Sequence, residues 1–182
     1  MDYGRNKEAK GQNRAAEETE IVVRANLSKD GKTLDLTATY LKEYGAKDLA
    51  AFEFLEDLTS LELGTNLIGA KGVKYIAQSK VLTHLTTLNL FYNKIGNEGA
   101  KYIALSDNLQ SLQNLILSDN EIGDEGALVL AKFLPLFPNL VRLDMRQNKL
   151  KDEGKEALRE AQKMSSLKHL LLDKVEGFQV KS

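Results

Sequence analysis

The stretch LILSDNEIGDEGALVLAKFL, residues 115–134, sets alternating apolar residues, an asparagine and two glycines ahead of a helix-like run. It reads as a short strand that turns sharply into a helix. No catalytic motif stands in the turn, so the placement of Asn120, Gly123 and Gly126 calls for a structural reason.

The same pattern recurs along the chain. LTSLELGTNLI (58–68), LTTLNLFYNKI (85–95), LQNLILSDNEI (112–122) and LVRLDMRQNKL (140–150) share one template, with Met145 and Leu150 as mild variants. The first strand leucines fall at 34, 61, 88, 115, 143 and 170, a spacing of 27 residues broken once by 28. The helix-like halves repeat as well, in IGAKGVKYIAQ (68–78), IGNEGAKYIAL (95–105) and IGDEGALVLAK (122–132), with looser copies at 41–51 and 150–160. A fixed period of this length means stacked supersecondary units. The outer copies are degraded, with Thr39 and Val175 where the asparagine is expected, as is usual for terminal units of a solenoid.

Each residue type has a physical task. Leu88 and Leu90 point inward while Thr87, Asn89 and Phe91 face out. One unit cannot bury its apolar face alone, so neighbours must stack, and each buried leucine stabilises by about 1.5–3 kcal/mol. Asn66, Asn93, Asn120 and Asn148 form an expected asparagine ladder that satisfies inward-turned backbone groups. Gly69, Gly96 and Gly123 suit a tight turn. Asn97, Asp124 and Asp152 are expected to favour helix amino ends by capping and charge.

These motifs resemble the ribonuclease-inhibitor type of leucine-rich repeat over residues 31–172. The resemblance implies an α/β fold: a right-handed curved solenoid with a parallel concave sheet of about six short strands and helices on the convex side. It also implies that Gly72, Gly99, Gly126 and Gly154 stand where a side chain would crowd the neighbouring unit. The fold says little about function by itself.

The ends read differently. Residues 1–12 are polar and expected to be mobile. Residues 13–30 are expected to cap the first unit, with a helix placing Ala16, Val23 and Leu27 on one face; a strand through 21–24 is the rival. Pro135 and Pro138 should end the fourth helix near residue 134. Residues 173–182 form a tail or cap, in which Val175, Phe178 and Val180 offer a lid for the last unit.

Composition narrows the chemistry. The chain is 42% hydrophobic and 28% charged, with a formal net charge of -1 and no cysteine. That charge gives no reason to expect nucleic acid or an anionic membrane as partner. Without cysteine there is no disulfide, thiolate zinc site or cysteine nucleophile. No apolar run is long enough to span a bilayer, and the first residues lack the apolar core of a secretory signal. A cytoplasmic setting is the simplest expectation; leaderless export or delivery to a host is compatible with it.

GTNLIGAK (64–71) has its lysine displaced by one position from a phosphate-binding loop and no hydroxyl residue after it. SDNEIGDE (118–125) places Gly123 where a calcium loop needs an oxygen ligand. His84 and His169 stand in distant units, forming neither a zinc site nor a triad. No cofactor and no catalytic activity are therefore expected.

Function is expected on the concave sheet. Most outward positions are polar, but Phe91, Tyr92 and Ile116 fall on adjoining central units. Acidic Asp35 and Glu62 lie to one side, and Arg142, Arg146 and His169 to the other. An apolar centre with a polar rim suits a protein interface. The expected partner-binding residues are Phe91, Tyr92, Ile116, Arg142, Asp144, Arg146, Glu62 and Asn89. Asp144 with Arg146 also fits a surface ion pair of little energetic worth. The leading expectation is a protein-interaction module or scaffold, monomeric when free. A GTPase activator resembling the Ran-activating family, or a structural subunit of a larger assembly, are the alternatives.

Overall fold

The computed structural model describes residues 3–174, with side-chain surroundings from residue 14 onward. Helix α1 (Tyr3–Asn26) leads into five strand–helix units and a last strand. These are β1 (Thr33–Asp35), α2 (Lys42–Leu49), β2 (Ser60–Glu62), α3 (Gly69–Ala77), β3 (Thr87–Asn89) and α4 (Gly96–Ala104). They continue with β4 (Asn114–Ile116), α5 (Asp124–Phe133), β5 (Arg142–Asp144), α6 (Asp152–Lys163) and β6 (His169–Leu171). The strands form one sheet in sequence order, every pair parallel. Leu34, Leu61, Leu88, Leu115, Leu143 and Leu170 stand in register across it.

The core follows from that register. Strand leucines from β1 to β5 are at most 1% exposed and join the inner faces of the helices in one continuous cluster. The cluster thins at the last unit, where Leu170 and Leu172 are only partly buried. At the first unit α1 supplies the cover. Val23 is fully buried, Ala16 and Leu27 are half-buried, and Ile21 is exposed. A helix therefore occupies 21–24, not the rival strand, and it begins at Tyr3, well before residue 13. The expected lid of Val175, Phe178 and Val180 lies outside the described residues. Helix α5 ends at Phe133 and passes into a tight turn at Leu134–Leu136, because Pro135 lacks an N–H.

The asparagine ladder works between units. Asn120 Oδ1 accepts the Asn93 N–H at 2.8 Å, and its Nδ2 donates to the Leu90 and Ser118 carbonyls at 2.7 and 3.1 Å. Asn93 serves the Asn66 and Ile68 N–H groups, and Asn148 those of Asn120 and Ile122. Each asparagine thus completes the backbone of the unit before it. A further ladder, of serines, escaped the sequence reading. Ser79 and Ser106 donate to the Ala50 and Ala77 carbonyls of the preceding units at 2.6 and 2.5 Å. Its signal was a buried serine at the same 27-residue spacing, lost in the next unit where Phe133 takes the place.

Two expectations are corrected. Among the described residues, Asn97, Asp124 and Asp152 do not cap their own helices through a side chain. Asn97 Oδ1 instead accepts the Gly123 N–H of the next unit at 2.8 Å, and Asp124 Oδ1 accepts those of Lys151 and Gly154 at 2.9 and 3.0 Å. Stacking brings the preceding unit closer to these donors than the residue's own helix. Gly123 differs from Gly69 and Gly96. The latter have φ of +66° and +58°, whereas Gly123 is extended at φ -99°. Asn97 ties it to the previous unit and removes the left-handed turn. A Cβ on Gly126 would lie 2.8 Å from Asn97 Oδ1 and 3.0 Å from Asn97 Cα, so a neighbouring unit does exclude a side chain there. At Gly99 the obstacle is Ile95 of the same unit.

Candidate functional site

The parallel register lines up the outward residues into three rows. The first holds Thr33, Ser60, Thr87, Asn114, Arg142 and His169, and the next Asp35, Glu62, Asn89, Ile116, Asp144 and Leu171. Backbone hydrogen bonds continue past the strand ends, so Gly64, Phe91, Ser118 and Arg146 fall into a third row. Short strands and a constant period put these side chains on the one face that the helices leave uncovered.

A shallow depression of about 600 Å³ crosses β3 to β5 on this face. Asn89, Phe91, Ile116, Arg142, Asp144 and Arg146, all expected at the site, line it. Ser118, Gln147 and Asp173 line it too; they occupy outward or adjoining positions but carried no apolar or charge signal strong enough to single them out. Glu62 and Tyr92 stand outside. Glu62 accepts a hydrogen bond from Asn89 Nδ2 at 2.7 Å. Tyr92, with φ at +52°, turns off the sheet at the loop, its ring 6.0 Å from that of Phe91. Phe91 is 37% exposed, on a face that is otherwise largely polar.

Asp144 departs from the outward, wetted position that strand alternation gave it. It is 3% exposed, whereas the Arg146 side chain is half exposed. The guanidinium holds the carboxylate by two bonds, Nε to Oδ1 at 2.9 Å and Nη2 to Oδ2 at 2.6 Å, and the Arg146 N–H adds a third. Burial pushes this carboxyl up, but the side-chain and backbone hydrogen bonds from Arg146, with its charge, outweigh burial and leave it below the ordinary aspartate range. The pair is therefore a fixed part of the floor and not a loose surface ion pair. Asp35 and Asn89 hold the backbone in a similar way, accepting the Thr37 and Phe91 N–H groups two residues on.

The two histidines stay apart. His84 contacts the Glu56 carbonyl at 2.9 Å and His169 is exposed on β6. Among the described residues no cluster of acidic and histidine side chains has metal-site geometry, and no helix is long and apolar enough to cross a membrane.

Comparison with known proteins agrees with the fold. The leucine-rich repeat family model matches residues 55–77, 81–104, 108–131 and 138–158, just over half of the chain. No curated protein matches in sequence. Among solved structures, an internalin from Listeria monocytogenes is 26% identical over 72% of this chain, with a TM-score of 0.46. This chain covers 32% of the internalin. The C-terminal domain of tropomodulin from Caenorhabditis elegans is 13% identical with a TM-score of 0.54, the match covering 90% of this chain and 85% of that one. The actin-binding site 2 of leiomodin-1 is 14% identical with a TM-score of 0.50, over 87% and 78% of the two chains. These last two likenesses are of fold alone. Four matched units within one parallel sheet show that the chain belongs to the leucine-rich repeat family.

Proposed function

We propose that the protein is a non-catalytic interaction module, of the ribonuclease-inhibitor-like repeat type, that binds another protein on the open face of its sheet. The observation that carries this is the half-exposed Phe91 beside Ile116, at the centre of an array whose other outward residues are mostly polar, with Leu171 at its edge. Water at that position is displaced at a gain of roughly 1.5–3 kcal/mol if the ring is fully buried by a partner. The helix in every unit, 8 to 12 residues long, supports the repeat type. The fixed Asp144–Arg146 pair supports the binding role, because a floor whose rotamers are already set loses less entropy on association.

Affinity capture with the whole chain, followed by mass spectrometry, tests the reading. Partners captured by the natural chain should be lost with Phe91→Ala and Arg142→Glu and kept with Glu98→Lys on helix α4. Partners kept by both face variants, and lost with the helix variant, would move the function to the other side of the molecule.

A further inference from the structure

We infer that the face recognises an extended segment of its partner carrying one large apolar side chain and one carboxylate, the apolar group at Phe91 and Ile116 and the carboxylate at Arg142. This rests on the proposed function and adds the chemistry of what is bound. The assignment comes from which charges on the face are already engaged. The Asp144 carboxylate is held by Arg146, Glu62 accepts from Asn89, Asp35 accepts the Thr37 N–H, and Asp173 accepts the Gln147 N–H at 2.8 and 3.0 Å. Arg142 is exposed, and among the described residues its side chain has neither a hydrogen-bond nor an ion-pair partner. It acts on Asp144 only through charge.

The surroundings of Arg142 favour an anion. The first row contains no carboxylate; Arg142 has Asn114 on one side and His169 on the other. An anion arriving along that row meets Arg142 between Asn114 and His169. The two carboxylates that share the depression, Asp144 and Asp173, are already hydrogen-bonded to Arg146 and to the Gln147 N–H. At the opposite end of the face Asp35 and Glu62 repel it, so the segment can settle in one direction only. Phe91 and Arg142 lie two strands and four residue steps apart, roughly 16 Å on the sheet lattice. An extended chain spans that distance in about five residues.

A peptide array tests this directly. Decapeptides on a Gly-Ser background carry one Leu or Phe and one Glu at separations of one to seven residues, and are probed with the full chain. Binding should peak at separations of about four to six residues. Replacing the peptide Glu by Gln, or Arg142 by Gln, should each weaken binding about three- to five-fold, and the two changes together should cost little more than either alone. Phe91→Ala should weaken it roughly ten-fold or more. Arg142→Glu should shift the preference to peptides with Lys in place of Glu. Binding indifferent to the peptide charge, or no binding above the Gly-Ser control, overturns the inference. A dimer by light scattering that Arg142→Glu dissociates would overturn it in favour of a second copy. If face variants still lose a captured partner while no peptide binds, the proposed function stands and this inference alone falls.

Discussion

Two columns of the same turn, two residues apart in sequence, obey opposite rules. At positions 66, 93, 120 and 148 every unit has asparagine; at 64, 91, 118 and 146 the residues are Gly, Phe, Ser and Arg. The asparagine column is buried or nearly so and bridges backbone groups of adjoining units. The variable column lies on the open side of the sheet, where Phe91 and Arg146 are exposed and Gly64 and Ser118 are covered by their neighbours. Where a side chain must complete a neighbour's backbone geometry, one residue type suffices and recurs. Where no such backbone contact is required, each unit is free to differ, and those differences are where the proposed recognition is placed.

That contrast can be attacked from its strongest point downward. Leu115→Ala empties the interior behind both columns and should cost about 2–5 kcal/mol in chemical denaturation. Asn120→Ala should cost about 2–4 kcal/mol, since the Asn93 N–H and the Leu90 and Ser118 carbonyls lose a partner in dry surroundings. At this chain length that lowers the melting temperature by roughly 5–15 °C. Binding measured well below the melting point should not change. An equal loss of affinity would join the two columns that the structure keeps separate.

Gly126→Ala and Gly123→Ala sharpen the role of unit contacts. The former meets Asn97 and should destabilise by about 1–3 kcal/mol, while the latter has extended backbone and no atom closer than 3.6 Å. Gly123→Ala should therefore be nearly silent in thermal melts, and a large loss there would restore the left-handed turn. Phe91→Ala should cost only about 0.5–1.5 kcal/mol of stability, from its contacts with Ile116 and Tyr92, while abolishing capture.

Asp144 gives the pH test. Its folded pKa lies below the unfolded value, so its contribution is present above the unfolded pKa and is lost as pH falls through the folded one. Arg146→Ala leaves the buried carboxylate to desolvation, which reverses the sign. That variant should be destabilised at neutral pH and should recover relative to the parent on acidification, as followed by urea midpoints from pH 7 to pH 3. Parallel midpoint curves for the two proteins would mean that the pair adds nothing.

Fold was legible because leucine alternation and a fixed period answer to the same need, burial against an identical neighbour. The asparagines were legible for that reason too. What alternation could not show was depth at the edge of the face. Asp144 occupies an outward position, yet Arg146 two residues on folds over it, and only the local backbone sets that contact. Capping was misassigned on the same ground. Sequence offsets place Asn97 and Asp124 at the start of their own helices, while stacking makes the next unit's N–H groups their nearest donors. The two candidate residues outside the depression, Glu62 and Tyr92, were separated from it by an internal hydrogen bond and by a left-handed backbone angle.

The order of residues alone determined that strands and helices alternate, that they stack in register, and which side chains go inside, because periodic burial is a property of spacing. Tertiary structure decided which outward charges are spent on one another, which glycine needs its missing Cβ, and where Phe91, Ile116 and Arg142 share one depression. Those outcomes depend on distances between units, and no offset along the chain encodes a distance across the sheet.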